Sequence, residues 1–282
     1  MTTVSERMRL DLALRGRSAA TIDTYLRNAR SFVDFHGRPP GRLGEPELRV
    51  WLAHLMETRH LSPDGMRPHI AALKFLYGVT LKRPERTDWI PWPSKPRHLP
   101  DILSKEEVIR LAEAAGTPCL RALILVGYGA GMRIGEATRL QPADIDAARG
   151  VLKVRGGKGD KDRLVSLSTV LLGELRGYYA AVRPPAPWLF PGTDPTRPIR
   201  IQTVQRAFRQ TVARAGIAKS IHFHSLRHAY ATHNLEDGVD LLTIQALLGH
   251  ADFGTSQLYL QVRADHLRRA GSPLDRLPEP LR

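Results

Sequence analysis

The sequence predicts a mainly α-helical protein with one small β-hairpin or sheet, built as two domains. Three observations lead there. Apolar residues recur at three- and four-residue spacing along most of the chain. Runs of β type are confined to a short stretch near residues 151–167. Four prolines crowd into the twelve residues 89–100 and divide the chain.

Residues 1–90 read as a bundle of four helices. From Ser18 onward, Ile22, Tyr25, Leu26, Ala29, Phe32 and Val33 share a face, with Ser18 as N-cap and Gly37, Pro39 and Pro40 as the stop. The segment 45–58 repeats the pattern with Leu48, Trp51, Leu52 and Leu55, and 62–77 repeats it with Ile70, Leu73 and Leu76. The proline-rich segment 91–101 is an extended linker. In 102–282, Ser104-Lys-Glu-Glu is a capping box that starts a helix at 104–115. Helices are expected at 118–130, 134–140, 168–182, 200–215, 225–237, 240–249 and 254–261. The runs 151–154 and 163–167 flank a turn-rich segment and form the hairpin.

Composition narrows the function. The chain has 282 residues, 42 Lys+Arg, 28 Asp+Glu and a net charge of +14. Residues 1–95 hold 16 basic against 10 acidic residues, and the remainder 26 against 18. The excess therefore belongs to both halves, as expected for a protein that grips a polyanion such as nucleic acid. Between Asp194 and Glu236 there is no acidic residue, while Arg197, Arg200, Arg206, Arg209, Arg214, Lys219, Arg227 and four histidines stand there. Arg206 and Arg209 share a helix face and are the expected phosphate or groove contacts. One cysteine, Cys119, excludes a disulfide framework and fits a reducing cytosol. No apolar run approaches the ~20 residues of a membrane span. A cytoplasmic, nucleoid-associated protein with no membrane contact is expected.

Several motifs fail. Glycines 127, 129 and 131 do not spell a dinucleotide fingerprint, and neither a phosphate-loop nor a GxSxG signature is present. Asp144/Asp146 and Asp160/Asp162 could hold a nuclease metal, but acids at a strand start and in a turn explain them better. His224 and His228 form an HxxxH pair without HExxH or a third ligand. No metal and no cofactor are expected.

What remains is a set of isolated polar residues at the ends of apolar segments. Arg133 follows Gly-Ala-Gly-Met, where the chain can bend, and Glu136 is within reach on a helical turn. Lys158 lies between two glycines in the hairpin. His224 and Arg227 are three apart. His250 follows Leu-Leu-Gly, and Tyr259 is nine residues beyond it. The order Arg133-x-x-Glu136, Gly-Lys158-Gly-x-Lys-x-Arg, His224-x-x-Arg227-His, Leu-Gly-His250 and Tyr259 resembles the tyrosine recombinases of the phage integrase family. The resemblance covers nearly the whole chain.

That resemblance implies an N-terminal helical core-binding (SAM-like) domain and a C-terminal mixed α+β catalytic domain. It implies a catalytic set of Arg133, Lys158, His224, Arg227, His250 and the nucleophile Tyr259, with Glu136 in support. The implied activity is site-specific DNA recombination or integration, as in a mobile genetic element. The implied partners are a double-stranded DNA recombination site and a tetramer on two duplexes; accessory proteins are unspecified. A type IB topoisomerase-like strand cleavage and a catalytically inactive DNA-binding protein are the alternatives. The residue types suit the chemistry. Two arginines offer planar donor forks to the charge that builds on an attacked phosphate. His250 can donate another hydrogen bond, so fixed cations replace a metal. A phenol near pKa 10 needs neighbouring positive charge to ionise, and His224 can accept or relay its proton. Lys158 would protonate the leaving 5′ oxygen.

Overall fold

The chain enters its first helix through Thr3. Its hydroxyl accepts a hydrogen bond from the Glu6 amide, and Glu6 Oε2 accepts from the Thr3 amide at 2.7 Å. The pair satisfies two amides that a helix start leaves open. Helices α1 (Val4–Leu14), α2 (Ala19–His36), α3 (Glu45–Ala53) and α4 (Pro63–Phe75) follow in this computed structural model, which describes residues 3–94, 101–156, 162–248 and Leu274. Ser18 caps α2, and Gly37 ends it at φ +61°. The apolar stripes meet in a core around Leu12, Phe32, Trp51, Leu55, Leu73 and Tyr77. The Tyr77 hydroxyl donates to the Pro40 and Leu43 carbonyls and ties the loop after α2 to the end of the bundle.

The helices expected to reach Thr58 and Tyr77 change character before they end. After Ala53 and after Phe75 the chain widens into π-helical turns, His54–Thr58 and Leu76–Thr80. Each is followed closely by a residue at positive φ, His60 and Lys82. Pattern alone cannot separate these turns from α-helix, because five residues make little more than one turn, too short a run to reveal a change of period.

The chain divides into two compact units, residues 1–98 and 99–282. In the second unit, Ser104 and Glu107 form the expected capping box on α5 (Lys105–Glu113). Next comes α6 (Pro118–Gly129), buried continuously from Ala122 to Gly129. A helix so apolar all round belongs at the centre of a core. The short α7 (Ile134–Ala137) follows and stops well before 140. Then come β1 (Ile145–Asp146), β2 (Val151–Val154) and β3 (Arg163–Ser166), α8 (Thr169–Val182), α9 (Ile201–Arg214), α10 (Phe223–Glu236) and α11 (Leu241–Leu248). Helices α5, α8, α9 and α10 all pack on α6.

The sheet is antiparallel in the order β1-β2-β3, with Leu152 opposite Ile145 on one side and Val165 on the other. The expected hairpin thus gains a third strand, too short at two residues to show any alternation. Helix α10 begins at Phe223, two residues earlier than the pattern suggested, so His224 stands in its first turn. The helix expected at 254–261 lies outside the described residues. Among the described residues no helix is long and apolar enough to cross a membrane.

Candidate active site

The site is built at the C-terminal end of α6. Gly131 adopts φ +60°, and a Cβ there would stand 2.8 Å from both Leu248 and Tyr230. Only glycine fits this bend without strain. The turn reverses the chain and makes Arg133 the N-cap of α7, with a side chain 28% exposed. The expectation that a glycine bend would aim this guanidinium out of the apolar helix is met at Gly131.

Glu136 is the centre of the arrangement. Its carboxylate accepts four hydrogen bonds, two on each oxygen. Oε1 takes Arg133 Nη1 and Arg163 Nη1, both at 2.8 Å. Oε2 takes the Arg133 amide at 2.8 Å and Arg163 Nη2 at 2.7 Å. Burial works to raise the pKa of this acid. The Arg163 fork, the Arg133 amide and the Arg133 guanidinium more than reverse that and hold it at about 2. Glu136 is therefore an anion at every working pH.

The second guanidinium comes from α10. Arg227 is 2% exposed. Its Nη1 donates to the Gly131 carbonyl at 2.7 Å, and its Nη2 donates to the Leu248 carbonyl. Among the described residues no carboxylate pairs with it directly. Burial, and after it the charge of Arg133, push its pKa down to about 9. It still carries its proton at pH 7. A buried cation held only by carbonyl dipoles is costly unless an anion joins it.

His224 stands one helical turn before Arg227, its side chain exposed. Its ring meets His228 edge to face at 4.7 Å between centroids. Desolvation on the site side, then His228, Arg227, His222 and Arg133, push its pKa down to about 4. At pH 7 the imidazole is neutral and its free nitrogen can accept a proton. Three guanidiniums, one carboxylate and a neutral imidazole leave this cluster net positive, suited to stabilising charge that develops on an oxyanion.

The structure thus brings Arg133, Glu136, His224 and Arg227 to one place. Lys158, His250 and Tyr259 lie outside the described residues. Arg206 and Arg209 stand on the exposed face of α9, opposite the buried Val204 and Phe208. Arg163 is the member that sequence reasoning passed over. It appeared there only as the last residue of the Gly-Lys158-Gly-x-Lys-x-Arg run, and an arginine opening a strand looks like an ordinary solvated charge. Its side chain is 12% exposed, and besides Glu136 it holds the Leu247 carbonyl at 3.2 Å. Asp144, weighed as a metal ligand, is engaged by Arg155 and by the Gln141 amide. The Asp146 carboxylate accepts from the Arg149 amide. Among the described residues no group of three or more potential ligands is placed to hold a metal.

Comparison with known proteins adds to this geometry. Residues 101–266 match the model of the phage integrase family, and residues 5–86 match that of the phage integrase N-terminal SAM-like domain. Tyrosine recombinase XerD of Rhizobium meliloti is 35% identical over 90% of this chain and 89% of its own length. An integrase/recombinase of Escherichia coli is 35% identical, covering 93% of this chain and 90% of that protein. The crystal structure of XerA recombinase superimposes with a TM-score of 0.51 at 29% identity, over 94% of this chain and 95% of that one. A lambda integrase dimer bound to a COC′ core site shares the fold with a TM-score of 0.69 at 17% identity, over 93% and 79% of the two chains.

Proposed function

The chain belongs to the phage integrase family of tyrosine recombinases, and from that premise we propose that it is a site-specific DNA recombinase that cuts and rejoins strands through a covalent bond to Tyr259. The observation that carries this reading is Arg227. Among the described residues this buried guanidinium has two carbonyl partners and no carboxylate, and a phosphodiester is the anion that would offset its charge. Arg133 adds a second donor fork from the other side of the Gly131 turn.

In the proposed reaction the Tyr259 oxygen attacks the scissile phosphorus and the bond to the 5′ oxygen breaks. The neutral His224 takes up or relays the phenol's proton, and Lys158 gives a proton to the leaving 5′ oxygen. Arg133, Arg227 and His250 stabilise the non-bridging oxygens. A 3′-phosphotyrosyl bond and a 5′ hydroxyl result, so the bond energy is conserved and a 5′ hydroxyl from a second duplex can reverse the step. Neither a metal nor a nucleotide is needed. Exchange between two duplexes breaks four strands at one tyrosine each, which calls for four protomers. Residues 1–90 would serve as the core-binding domain, 91–101 as linker and 102–282 as the catalytic domain. Arg206 and Arg209 on α9 are the proposed phosphate or groove contacts.

The test is a library of nicked duplexes incubated with the protein in EDTA, with covalently held DNA recovered and sequenced. Adduct is expected despite the chelator. Tyr259→Phe should abolish it and leave affinity for the recovered duplex intact; a Phe variant that still forms adduct overturns the nucleophile assignment. Arg227→Ala should cost several powers of ten in cleavage rate and far less in affinity. Equal losses in both would mean that it only binds phosphate.

A further inference from the structure

We propose that Arg163 is a positioning residue that aims Arg133 at the scissile phosphate by occupying Glu136; the inference rests on the recombinase reading of this site. A carboxylate three residues after an arginine in a helical turn is a natural partner for that arginine's whole fork. Such a two-pronged pair would neutralise Arg133 and turn it away from substrate. The structure shows a different division. A carboxylate has about four lone-pair sites, and in Glu136 all of them are used. Arg163 takes one on each oxygen, and the Arg133 amide takes a third. Only one is left for the Arg133 side chain, filled by Nη1. Among the described residues Nη1 is the only side-chain donor of Arg133 that is engaged, which leaves Nε and Nη2 for a phosphate.

Arg163 is itself fixed by its third donor. Nε holds the Leu247 carbonyl in the last turn of α11. All three donors belong to one planar, rigid guanidinium, which an ammonium cannot reproduce. Lysine at 163 would keep the positive charge beside Glu136 and most of the buried stem, but it would free a lone pair for Arg133. The contribution of Arg163 is therefore geometric, and it acts through Glu136 without touching the reacting atoms.

The test uses the full-length protein and the duplex recovered covalently on the wild type, with single-turnover cleavage and affinity measured separately below the melting temperature of every variant. Arg163→Lys is expected to bind that duplex as the wild type does and to cleave it about 10- to 100-fold more slowly, the size of effect that partners orienting the ligands of metal sites have. In a Glu136→Gln background the same change should cost little more. Losses that multiply would mean that Arg163 acts independently of Glu136, and that outcome overturns the proposal. So does wild-type cleavage by Arg163→Lys. If the wild type forms no Tyr259-dependent adduct, the recombinase reading falls and takes this inference with it. A normal wild-type adduct with an unimpaired Arg163→Lys variant sinks this inference alone.

Discussion

Gly131 carries two demands at once. Its φ of +60° penalises any side chain, and its missing Cβ leaves room for Leu248 and Tyr230, which would otherwise be 2.8 Å away. The left-handed conformation costs an L-residue about 1–2 kcal/mol, and overpacking a core costs about 1–3 kcal/mol. Gly131→Ala should therefore destabilise the second unit by about 2–5 kcal/mol in urea denaturation. It should also weaken catalysis beyond the loss of stability, because its carbonyl holds Arg227. A variant within 0.5 kcal/mol of the wild type would mean that the turn can relax, counter to the usual cost of strain at a special backbone position (about 1–3 kcal/mol). At this scale the sequence was readable where a residue broke the local pattern. Arg133, Glu136, His224 and Arg227 interrupt apolar segments, and each stands in the site. Arg163 was not readable, because an arginine beginning a strand breaks no rule until the fold brings Glu136 and Leu247 to it from either side in the chain.

Two elements of the N-terminal bundle end against their own backbone. Behind the π-helical turns of 54–58 and 76–80, His60 and Lys82 sit at φ +48° and +56° with exposed side chains. The chain folds back there, with the Leu61 amide on the Leu55 carbonyl and the Arg83 amide on the Tyr77 carbonyl. Glycine is the residue such an ending favours. His60→Gly and Lys82→Gly should each stabilise the bundle by about 1 kcal/mol, the cost of left-handed backbone recovered less the added freedom of the unfolded chain. Denaturation followed by tryptophan fluorescence, with Trp51 buried in this core, checks it, and a loss of stability in both variants would refute the account. Neither ending was visible beforehand, since histidine and lysine do not announce positive φ. What was visible at this scale was what periodicity and caps encode. Ser18, Ser104 and Gly37 mark the helix ends they were expected to mark. The two-residue β1 exists only because β2 offers it a partner, and such tertiary pairing leaves no local trace.

Across the whole molecule, the histidines set how the folded state responds to acid. His69 in the bundle and His224, His228 and His233 in the second unit all have pKa values below the ordinary 6.5, with burial as the first cause in each. The positive neighbours Arg59 and Arg27 reinforce it for His69, and His222 and Arg227 for His228. For His233 the effects oppose, with Glu236 and Asp237 working against burial and Lys105 with it. A lowered histidine binds its proton more weakly folded than unfolded. Between the folded value, about 4 for His224, and the unfolded value near 6.5, the unfolded chain therefore holds more protons. By linkage, stability then rises with pH and is lost as pH falls through this window. The carboxylates extend the trend lower. Glu136, held at about 2, and Glu47, also about 2, contribute stability that is present above 4.5 and lost as pH drops toward their folded values. A chain already at +14 gains further positive charge over the same range, which adds self-repulsion. The expected outcome is a free energy of unfolding that is level between pH 7 and pH 8 and falls continuously from pH 6.5 to pH 4, measured by urea titration at fixed ionic strength. His224→Gln should flatten the upper part of that slope, because one of the four proton-binding differences is gone. Saturating duplex DNA should do the same by a different route: a phosphate beside His224 offsets Arg227 and Arg133, raises the imidazole's pKa toward its unfolded value and shrinks the difference on which the slope depends. A slope unchanged by both the substitution and the DNA would place the acid sensitivity elsewhere in the molecule and remove His224 from the set of groups that feel the bound phosphate.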